Sequence, residues 1–226
     1  MSFPELRSRV SEITGRIAAA VARGGHGQTV TIIAVTKTFG PEAVRAAADA
    51  GLADIGENKV QEARTKQQLV DVPVRWHLIG HLQRNKVKAL EHFHLLHAVD
   101  RASLADAVHT WASSRGTPMR TLVQVNVAGE ETKGGYAPAD LPAEAERMRG
   151  MTGLDVRGVM TMAPFDASES VLRACFAGAR AARDVFAAAG HRVTELSMGM
   201  SSDYEIAVEE GATMVRLGTV LFGARA

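Results

Sequence analysis

Short apolar segments alternate along the chain with longer stretches in which apolar residues recur every three or four positions. The short segments are rich in β-branched and aliphatic residues, as buried strands are, and the longer ones are typical of amphipathic helices. The predicted strands are residues 30–35, 53–56, 75–79, 95–99, 121–127, 156–161, 193–197 and 214–217. The predicted helices between them are residues 41–50, 59–69, 85–92, 103–113, 141–148, 168–189 and 204–210.

This alternation predicts a parallel sheet that helices cover on both faces. Eight strands favour a single closed (β/α)8 barrel of the TIM type, although the pattern also permits an open, doubly wound sheet. A further amphipathic helix over residues 2–23 precedes the first strand, with Ser2 and Glu5 at capping-box spacing. We therefore predict one domain, residues 1–226, in which this first helix covers an apolar surface of the barrel.

Composition and charge narrow the possible functions. Hydrophobic residues make up 46% of the 226 residues, which excludes an intrinsically disordered chain. The 26 basic and 25 acidic side chains leave a formal charge of +1, so no bulk attraction draws nucleic acid or an anionic membrane to the protein. The single cysteine, Cys175, cannot form an intrachain disulfide, and no leader or membrane-spanning segment is evident. We expect a cytoplasmic protein without a nucleic-acid or membrane partner.

Lys37 is the first candidate for chemistry, because it directly follows an apolar strand segment. At the C-terminal end of a barrel strand it would lie at the mouth, where the active sites of this fold form. Partial removal from water would lower the pKa of the amine and favour the neutral form, which attacks a carbonyl group to give a Schiff base. A solvated lysine at a strand end is the simpler alternative, and position alone does not decide between the two.

Two segments with glycines and hydroxyl groups follow the seventh and eighth strands, where barrels commonly hold a phosphate group. The segments are residues 198–203 and 217–219. Ser202 and Glu205 have capping-box spacing, which would leave Ser201 free for a ligand near Gly218. The alternative is that both serines only cap the helix. Together with a lysine at the mouth, these segments predict a ligand that carries both an aldehyde and a phosphate.

Arg216 and Asn58 are further candidates at the predicted mouth. Arg216 lies two residues before Gly218, so both face the same side of the last strand. A guanidinium only donates hydrogen bonds, so opposite a pyridine nitrogen it would leave that nitrogen unprotonated and the ring a weak electron sink. The alternative for Arg216 is an ion pair inside the barrel. Asn58 ends the second strand, and Gln61 three residues later favours a helix cap, although the amide could also face a ligand.

Other kinds of site have less support in the sequence. A cluster of histidines spans a predicted helix end and two strands, so their rings need not converge, and we expect no metal site. The histidines are His77, His81, His92, His94 and His97. No glycine-rich nucleotide motif follows the first strand, and no nucleophile elbow is present. Cys175 has helical spacing with Leu172 and Phe176, which is typical of a buried structural thiol.

Several motifs, in this order, resemble those of the YggS/PROSC family of pyridoxal-phosphate homeostasis proteins. The resemblance covers nearly the whole chain. The motifs are AVTK at residues 34–37, GENKVQE at 56–62, WHLIGHLQRNK at 76–86, TKGG at 132–135, GVM at 158–160, LSMGMSSD at 196–203 and VRLGTVLFGAR at 215–225.

The resemblance implies a barrel like the N-terminal domain of alanine racemase, with pyridoxal 5'-phosphate attached covalently to Lys37. It also implies that Arg216 faces the pyridine nitrogen. The residues implied to hold the phosphate are Ser201, Gly218 and Thr219. The residues implied to line the site are Asn58 and Met200. The role of His81 stays open, because relatives carry either His or Pro at the corresponding position.

Three functional hypotheses follow. The resemblance implies a role in vitamin B6 homeostasis, and we favour a monomeric, non-catalytic carrier that holds pyridoxal phosphate and passes it to apoenzymes. The alternative is a small amino-acid racemase or other lysine Schiff-base enzyme, for which Tyr204 would supply the second base that racemisation needs. A phosphate-sugar aldolase that uses Lys37 would need no cofactor, and its sugar imine would not absorb near the visible range.

Overall fold

The computed structural model describes residues 3–130 and 133–223. Its strands are β1 (Thr31–Val35), β2 (Asp54–Glu57), β3 (Arg75–Leu78), β4 (Leu95–Val99), β5 (Met119–Gln124), β6 (Leu154–Met160), β7 (Glu195–Ser197) and β8 (Met214–Leu217). Within the described residues these eight strands pair in chain order as a parallel, closed ring. The ring closes where β1 pairs with β8, with Ile33 opposite Arg216. The predicted (β/α)8 barrel is confirmed.

Helices connect the strands and pack outside the ring. They are α1 (Leu6–Gly24), α2 (Pro41–Asp49), α3 (Val60–Leu69), α4 (Ala102–Ser114), α5 (Leu141–Arg149), α6 (Glu169–Ala188), α7 (Tyr204–Glu209) and α8 (Thr219–Phe222). The segments Arg84–His92 and Pro138–Asp140 are 3-10 helices, so the helix predicted at residues 85–92 is more tightly wound than an α-helix. In the part of the chain that is described, no helix has the length and apolar character needed to cross a membrane.

Helix α1 packs on one side of the barrel, against α7 and α8. It begins at Leu6, later than predicted, and Glu5 precedes it without a side-chain cap. Ser2, the predicted cap, lies outside the described residues. The helix ends at the glycine pair of residues 24 and 25, because Gly25 adopts a left-handed φ of 71° and its N–H donates to Val21 O. The apolar face buries Leu6, Ile13, Ile17 and Ala20.

The inside of the barrel is divided between apolar and polar side chains. An apolar cluster from β4, β5, β6, the segment just after β6, and β8 fills one part. Its residues are Leu95, Ala98, Leu122, Met160, Met162 and Met214. A second part holds polar side chains that are at most 5% exposed, namely Asp54, His77, His97, Ser197 and Arg216. Barrel interiors are usually filled by layers of branched aliphatic side chains, so this polar region is unusual. It lies below the C-terminal ends of the strands, where the active sites of this fold form.

Candidate functional site

A cavity of about 950 Å³ opens at the C-terminal ends of the strands. Its wall includes all seven residues predicted to contact a cofactor. They are Lys37, Asn58, Met200, Ser201, Arg216, Gly218 and Thr219. These positions are far apart in the sequence, and they converge because all strands of a parallel barrel end at the same mouth.

Lys37 is half-buried just after β1, and a buried ion pair lies beside its backbone. The hydroxyl of Thr36 donates to Glu57 Oε1 at 2.5 Å. Lys66 Nζ donates to the same Glu57 oxygen at 2.6 Å and to Thr36 O at 2.7 Å. Burial raises the pKa of Glu57, and the hydrogen bonds from Lys66 and Thr36 oppose this rise. The Lys66–Glu57 pair therefore fixes the backbone on the N-terminal side of Lys37.

Glu62 holds the backbone on the other side of Lys37. Its Oε1 accepts the N–H of Thr38 at 2.5 Å and a hydrogen bond from Lys66 Nζ at 2.9 Å. Thr38 has a φ of 70°, which is strained for a β-branched residue, so these contacts hold an unfavourable turn in place. The sequence offered one signal for this support, since Glu62 and Lys66 lie four residues apart on α3. It did not show that both meet the loop after β1.

Ser201 lies at the meeting point of the two predicted phosphate segments. Its Oγ accepts the backbone N–H groups of Gly218 at 3.4 Å and Val220 at 3.3 Å. These distances are long, so both amides can serve a stronger acceptor such as an anionic oxygen. Asp203 holds the segment from within, because its Oδ1 accepts the N–H of Met200 at 2.6 Å. Burial raises the pKa of Asp203.

Gly199 allows this segment to approach Arg216. Its φ of 91° is left-handed, and an added Cβ would come within 2.6 Å of Ala207 Cβ and 3.0 Å of Tyr204 Cα. The Gly199 carbonyl accepts the backbone N–H of Arg216 at 3.0 Å. Both conformation and space therefore require glycine here.

Neither side-chain cap considered for these segments forms. Helix α7 is preceded by Asp203, and Glu205 pairs with arginines of α1 instead of returning to Ser202. Helix α3 is preceded by Lys59 rather than by Asn58. The physical reason is that each helix begins later than the capping spacing requires. Asn58 contributes instead to the cavity wall.

Arg216 is buried within the barrel, and its guanidinium is held by neutral acceptors. Nη1 donates to Ser197 O at 2.7 Å and to Ser197 Oγ at 2.8 Å, and Nη2 donates to Thr161 O at 2.9 Å. Desolvation lowers the pKa of Arg216 to about 10, so it remains a cation at neutral pH. The charge of Asp203 opposes this fall in pKa, but among the described residues no carboxylate forms a direct ion pair with Arg216. The interior ion pair considered as an alternative is therefore wrong.

The rim of the cavity carries polar side chains to which the sequence predicted no role. His81 Nδ1 lies 2.6 Å from Asp100 Oδ2. Lys133 Nζ donates to Glu130 Oε1 at 2.7 Å and to Ala163 O at 2.9 Å. Lys133 is thus a second amine in the cavity wall, and an ammonium group engaged in this way is a poor nucleophile. Among the described residues, the wall therefore contains two lysines, Lys37 and Lys133.

The two tyrosines of the chain are buried away from this cavity. Burial raises the pKa of both tyrosines, and the Tyr204 hydroxyl has no hydrogen-bond partner among the described residues. Arg16 lies over the Tyr204 ring, 5.6 Å from its centroid. Tyr204 is therefore not positioned as the second base of a racemase. Over the described ranges no three His, Cys, Asp or Glu side chains are grouped as metal ligands.

Known proteins share this barrel. The family model of the alanine racemase N-terminal domain matches residues 12–226. The structure of alanine racemase from Clostridium difficile has a TM-score of 0.78 with 15% identity, and the match covers 98% of this chain and 60% of that chain. At this identity the similarity is one of fold alone. The fold and the match define an alanine racemase N-terminal-type barrel.

Relatives of higher identity specify the family. The chain is 42% identical to the pyridoxal phosphate homeostasis protein of Pseudomonas aeruginosa, over 97% of this chain and 96% of that protein. Its identity to the Escherichia coli protein of the same name is 36%, over 98% and 97%. The structure of PipY from Synechococcus elongatus with PLP bound has a TM-score of 0.86 at 36% identity and covers 96% of this chain and 100% of that chain. The chain belongs to the family of pyridoxal phosphate homeostasis proteins.

Proposed function

We propose that the protein binds pyridoxal 5'-phosphate at the barrel mouth and holds it reversibly as a Schiff base on Lys37. The observation that carries this proposal is the convergence, in one cavity, of an amine, a hydroxyl that faces two backbone amides, and a fixed guanidinium. These groups fit the aldehyde, the phosphate and the ring nitrogen of the cofactor. The presence of PLP in the related PipY structure supports the proposal.

The wall residues predicted to contact the cofactor each have a proposed task. Lys37 provides the amine, and its backbone is held on both sides by contacts of Lys66 and Glu62. The residues proposed to hold the phosphate are Ser201, Gly218 and Thr219. The residues proposed to border the ring are Asn58 and Met200. The hydrogen bonds that Ser201 Oγ accepts from Gly218 and Val220 hold the hydroxyl beside these two amides, which would bind the phosphate together with it.

Arg216 favours storage of the cofactor over turnover. Bound pyridoxal phosphate supplies an aldehyde and a conjugated ring that can accept electron density. A guanidinium opposite the ring nitrogen donates a hydrogen bond and leaves the nitrogen unprotonated, which weakens the ring as an electron sink. The positions of Tyr136 and Tyr204 also disfavour racemisation. The proposed role is therefore that of a carrier or buffer in vitamin B6 homeostasis.

The proposal extends to the partners and location of the protein. Since an imine exchanges with a competing amine, pyridoxal phosphate held on Lys37 can be transferred to other lysines, and apoenzymes that need the cofactor are the proposed recipients. The single cysteine, buried and unpaired, is compatible with the proposed cytoplasmic location. A monomeric carrier is the form proposed for this exchange.

Borohydride reduction tests the attachment site. The purified protein is incubated with pyridoxal phosphate, reduced, digested and mapped by peptide mass. We expect an absorption band near the visible range before reduction and a pyridoxyl group on Lys37 afterwards. Lys37→Ala should lose this group, whereas Lys133→Ala, which removes the other lysine amine in the described wall, should retain it. A pyridoxyl group on Lys133, or none in excess cofactor, would refute the proposal.

A turnover assay tests the carrier role. The loaded protein is incubated with L-alanine and other common L-amino acids, and the D-enantiomers are measured over time. We expect no racemisation above that of free pyridoxal phosphate. Substantial racemisation that disappears in Lys37→Ala would show an enzyme and would replace the carrier hypothesis with the racemase hypothesis.

A further inference from the structure

A continuous series of close contacts crosses the buried interior and ends at Arg216. Asp54 Oδ1 lies 2.8 Å from His77 Nε2, and His77 Nδ1 lies 2.9 Å from His97 Nε2. His97 Nδ1 lies 2.9 Å from Ser197 Oγ, which accepts from Arg216 Nη1 at 2.8 Å. The series runs from β2 through β3, β4 and β7 to β8. It joins the floor of the barrel to the base of the cavity.

We infer that this series is a hydrogen-bond chain with one direction, and that it positions Arg216 toward the ligand. A carboxylate only accepts, so His77 donates to Asp54 from Nε2. With one proton on each ring, His77 then accepts at Nδ1, which makes His97 the donor at its Nε2. His97 therefore accepts at Nδ1 from the hydroxyl of Ser197. The Ser197 oxygen in turn accepts a proton of the Arg216 guanidinium. With one proton on each ring, every proton position follows from the carboxylate of Asp54.

The charges at the two ends support this direction. Asp54 also accepts two hydrogen bonds from Arg75, at 2.7 and 2.6 Å. Burial alone would raise the pKa of Asp54, but the hydrogen bonds from Arg75 and His77 hold it below its usual value, so the group is a carboxylate. Burial holds the pKa of His97 well below its usual range, so this imidazole is neutral. In this direction the dipoles of the successive groups are aligned, and the Ser197 oxygen faces the guanidinium as an acceptor.

The four other residues of this hydrogen-bond chain are positioning residues, which act on a ligand through Arg216. None of them lines the cavity, within the described residues, so they reach a ligand only through the guanidinium. They are Asp54, His77, His97 and Ser197. Their effect on cofactor binding rests on the proposed function, whereas the order of protons along the chain does not. The two claims are therefore tested separately.

Histidine ring NMR tests the direction of the chain without any cofactor. Long-range ¹H–¹⁵N spectra of the histidine-labelled protein at neutral pH report which ring nitrogen carries the proton. We expect His77 and His97 to be neutral rings protonated at Nε2. A ring protonated at Nδ1, or an imidazolium at either position, would overturn the inferred direction.

Ser197→Ala tests the positioning role at the link nearest to Arg216, with a small change in volume. Losing a hydrogen bond to a charged group should weaken pyridoxal phosphate binding about ten-fold. The Nδ1 signal of His97 should also move toward that of an imidazole without a hydrogen bond. The matched control is Thr121→Val, which removes a buried hydroxyl without a hydrogen-bond partner among the described residues and should change neither measurement.

The outcomes separate the two claims. Unchanged cofactor affinity in a folded Ser197→Ala variant would overturn the positioning role. Absence of binding by the unmodified protein would refute the proposed function instead, while the ring tautomers would still decide whether the chain has the inferred direction. A shift of the His97 signal with weakened binding supports both.

Discussion

At the scale of single residues, the support of Lys37 depends on charges buried next to its backbone. Lys66 is 3% exposed and Glu57 is fully buried, so neither charge is screened by water. Such a pair contributes little to stability compared with an apolar pair of equal volume. Removing one partner, however, leaves the other charge buried without a counterion. The position of the Lys37 backbone is therefore sensitive to either residue of the pair.

Lys66→Met should lower the free energy of unfolding by about 3 to 5 kcal/mol, because Glu57 would remain buried without its cation. Urea unfolding followed by circular dichroism measures the change. The matched control is Arg149→Met, which removes the arginine of an exposed ion pair with Glu146 and should cost less than about 1 kcal/mol. Equal losses in the two variants would show that the buried pair does not support the fold.

At the scale of elements, β6 and β7 pair at a distance that leaves no space for a side chain at Gly158. Gly158 lies opposite Glu195 in the parallel register. A Cβ at Gly158 would lie 1.8 Å from Glu195 O, and backbone atoms of a paired strand cannot move aside as a flexible side chain can. The pairing of β7, a strand of three residues, therefore depends on this glycine.

Gly158→Ala should lower the free energy of unfolding by about 3 kcal/mol, since the clash must be relieved by displacing a strand. Gly15→Ala on α1 is the matched substitution, because an added Cβ at Gly15 has no neighbour within 4 Å. It should raise the free energy of unfolding by about 0.5 to 1 kcal/mol, as alanine favours helix. Thermal and urea unfolding compare the two. Stabilisation by Gly158→Ala would contradict the described pairing.

At the scale of the whole molecule, buried neutral histidine links folding to pH. Burial lowers the pKa of His97 in the folded protein, so the unfolded chain binds the proton more readily. The contribution of His97 to stability is thus fully present above its unfolded pKa, near 6.5, and is lost as the pH falls below that value. Burial raises the pKa of Glu57, so the contribution of this carboxyl group to stability increases as the pH falls. A histidine variant is therefore needed to measure the contribution of His97 by itself.

His97→Asn should make the free energy of unfolding less sensitive to mild acid. Between pH 7.5 and 5.5, the unmodified protein should lose about 1.4 kcal/mol that the variant does not lose. Urea unfolding at the two pH values measures the difference. His26→Asn controls for the loss of an exposed imidazole. An equal pH response in the unmodified protein and in His97→Asn would contradict a neutral, buried His97.

The architecture was predictable because each strand and helix carries its own periodicity. The bounds of β4 and β8 agree with the prediction at both ends. Because parallel strands end together, the sequence also predicted which residues would meet at the mouth. Helix caps were less predictable than helix positions, since neither Asn58 nor Ser202 caps the helix that follows it.

The support beneath the site was not predictable, because strand parity shows the side to which a residue points but not the side chain that it meets. Lys66 reaches the loop after β1 from α3, the third element after that loop. His97 and Ser197 are 100 residues apart, and only the closure of the barrel brings them together. Both contacts depend on the register and curvature of the complete ring.

The polar interior constrains how such a sequence can evolve. An aliphatic interior accepts the exchange of one residue at a time if the volume is kept. In the chain from Asp54 to Arg216, each histidine is both donor and acceptor, so a lone replacement strands the groups on either side of it. Substitutions at positions 54, 77, 97 and 197 that keep the protein folded should therefore occur together, so these positions of the inner wall should vary jointly among related sequences.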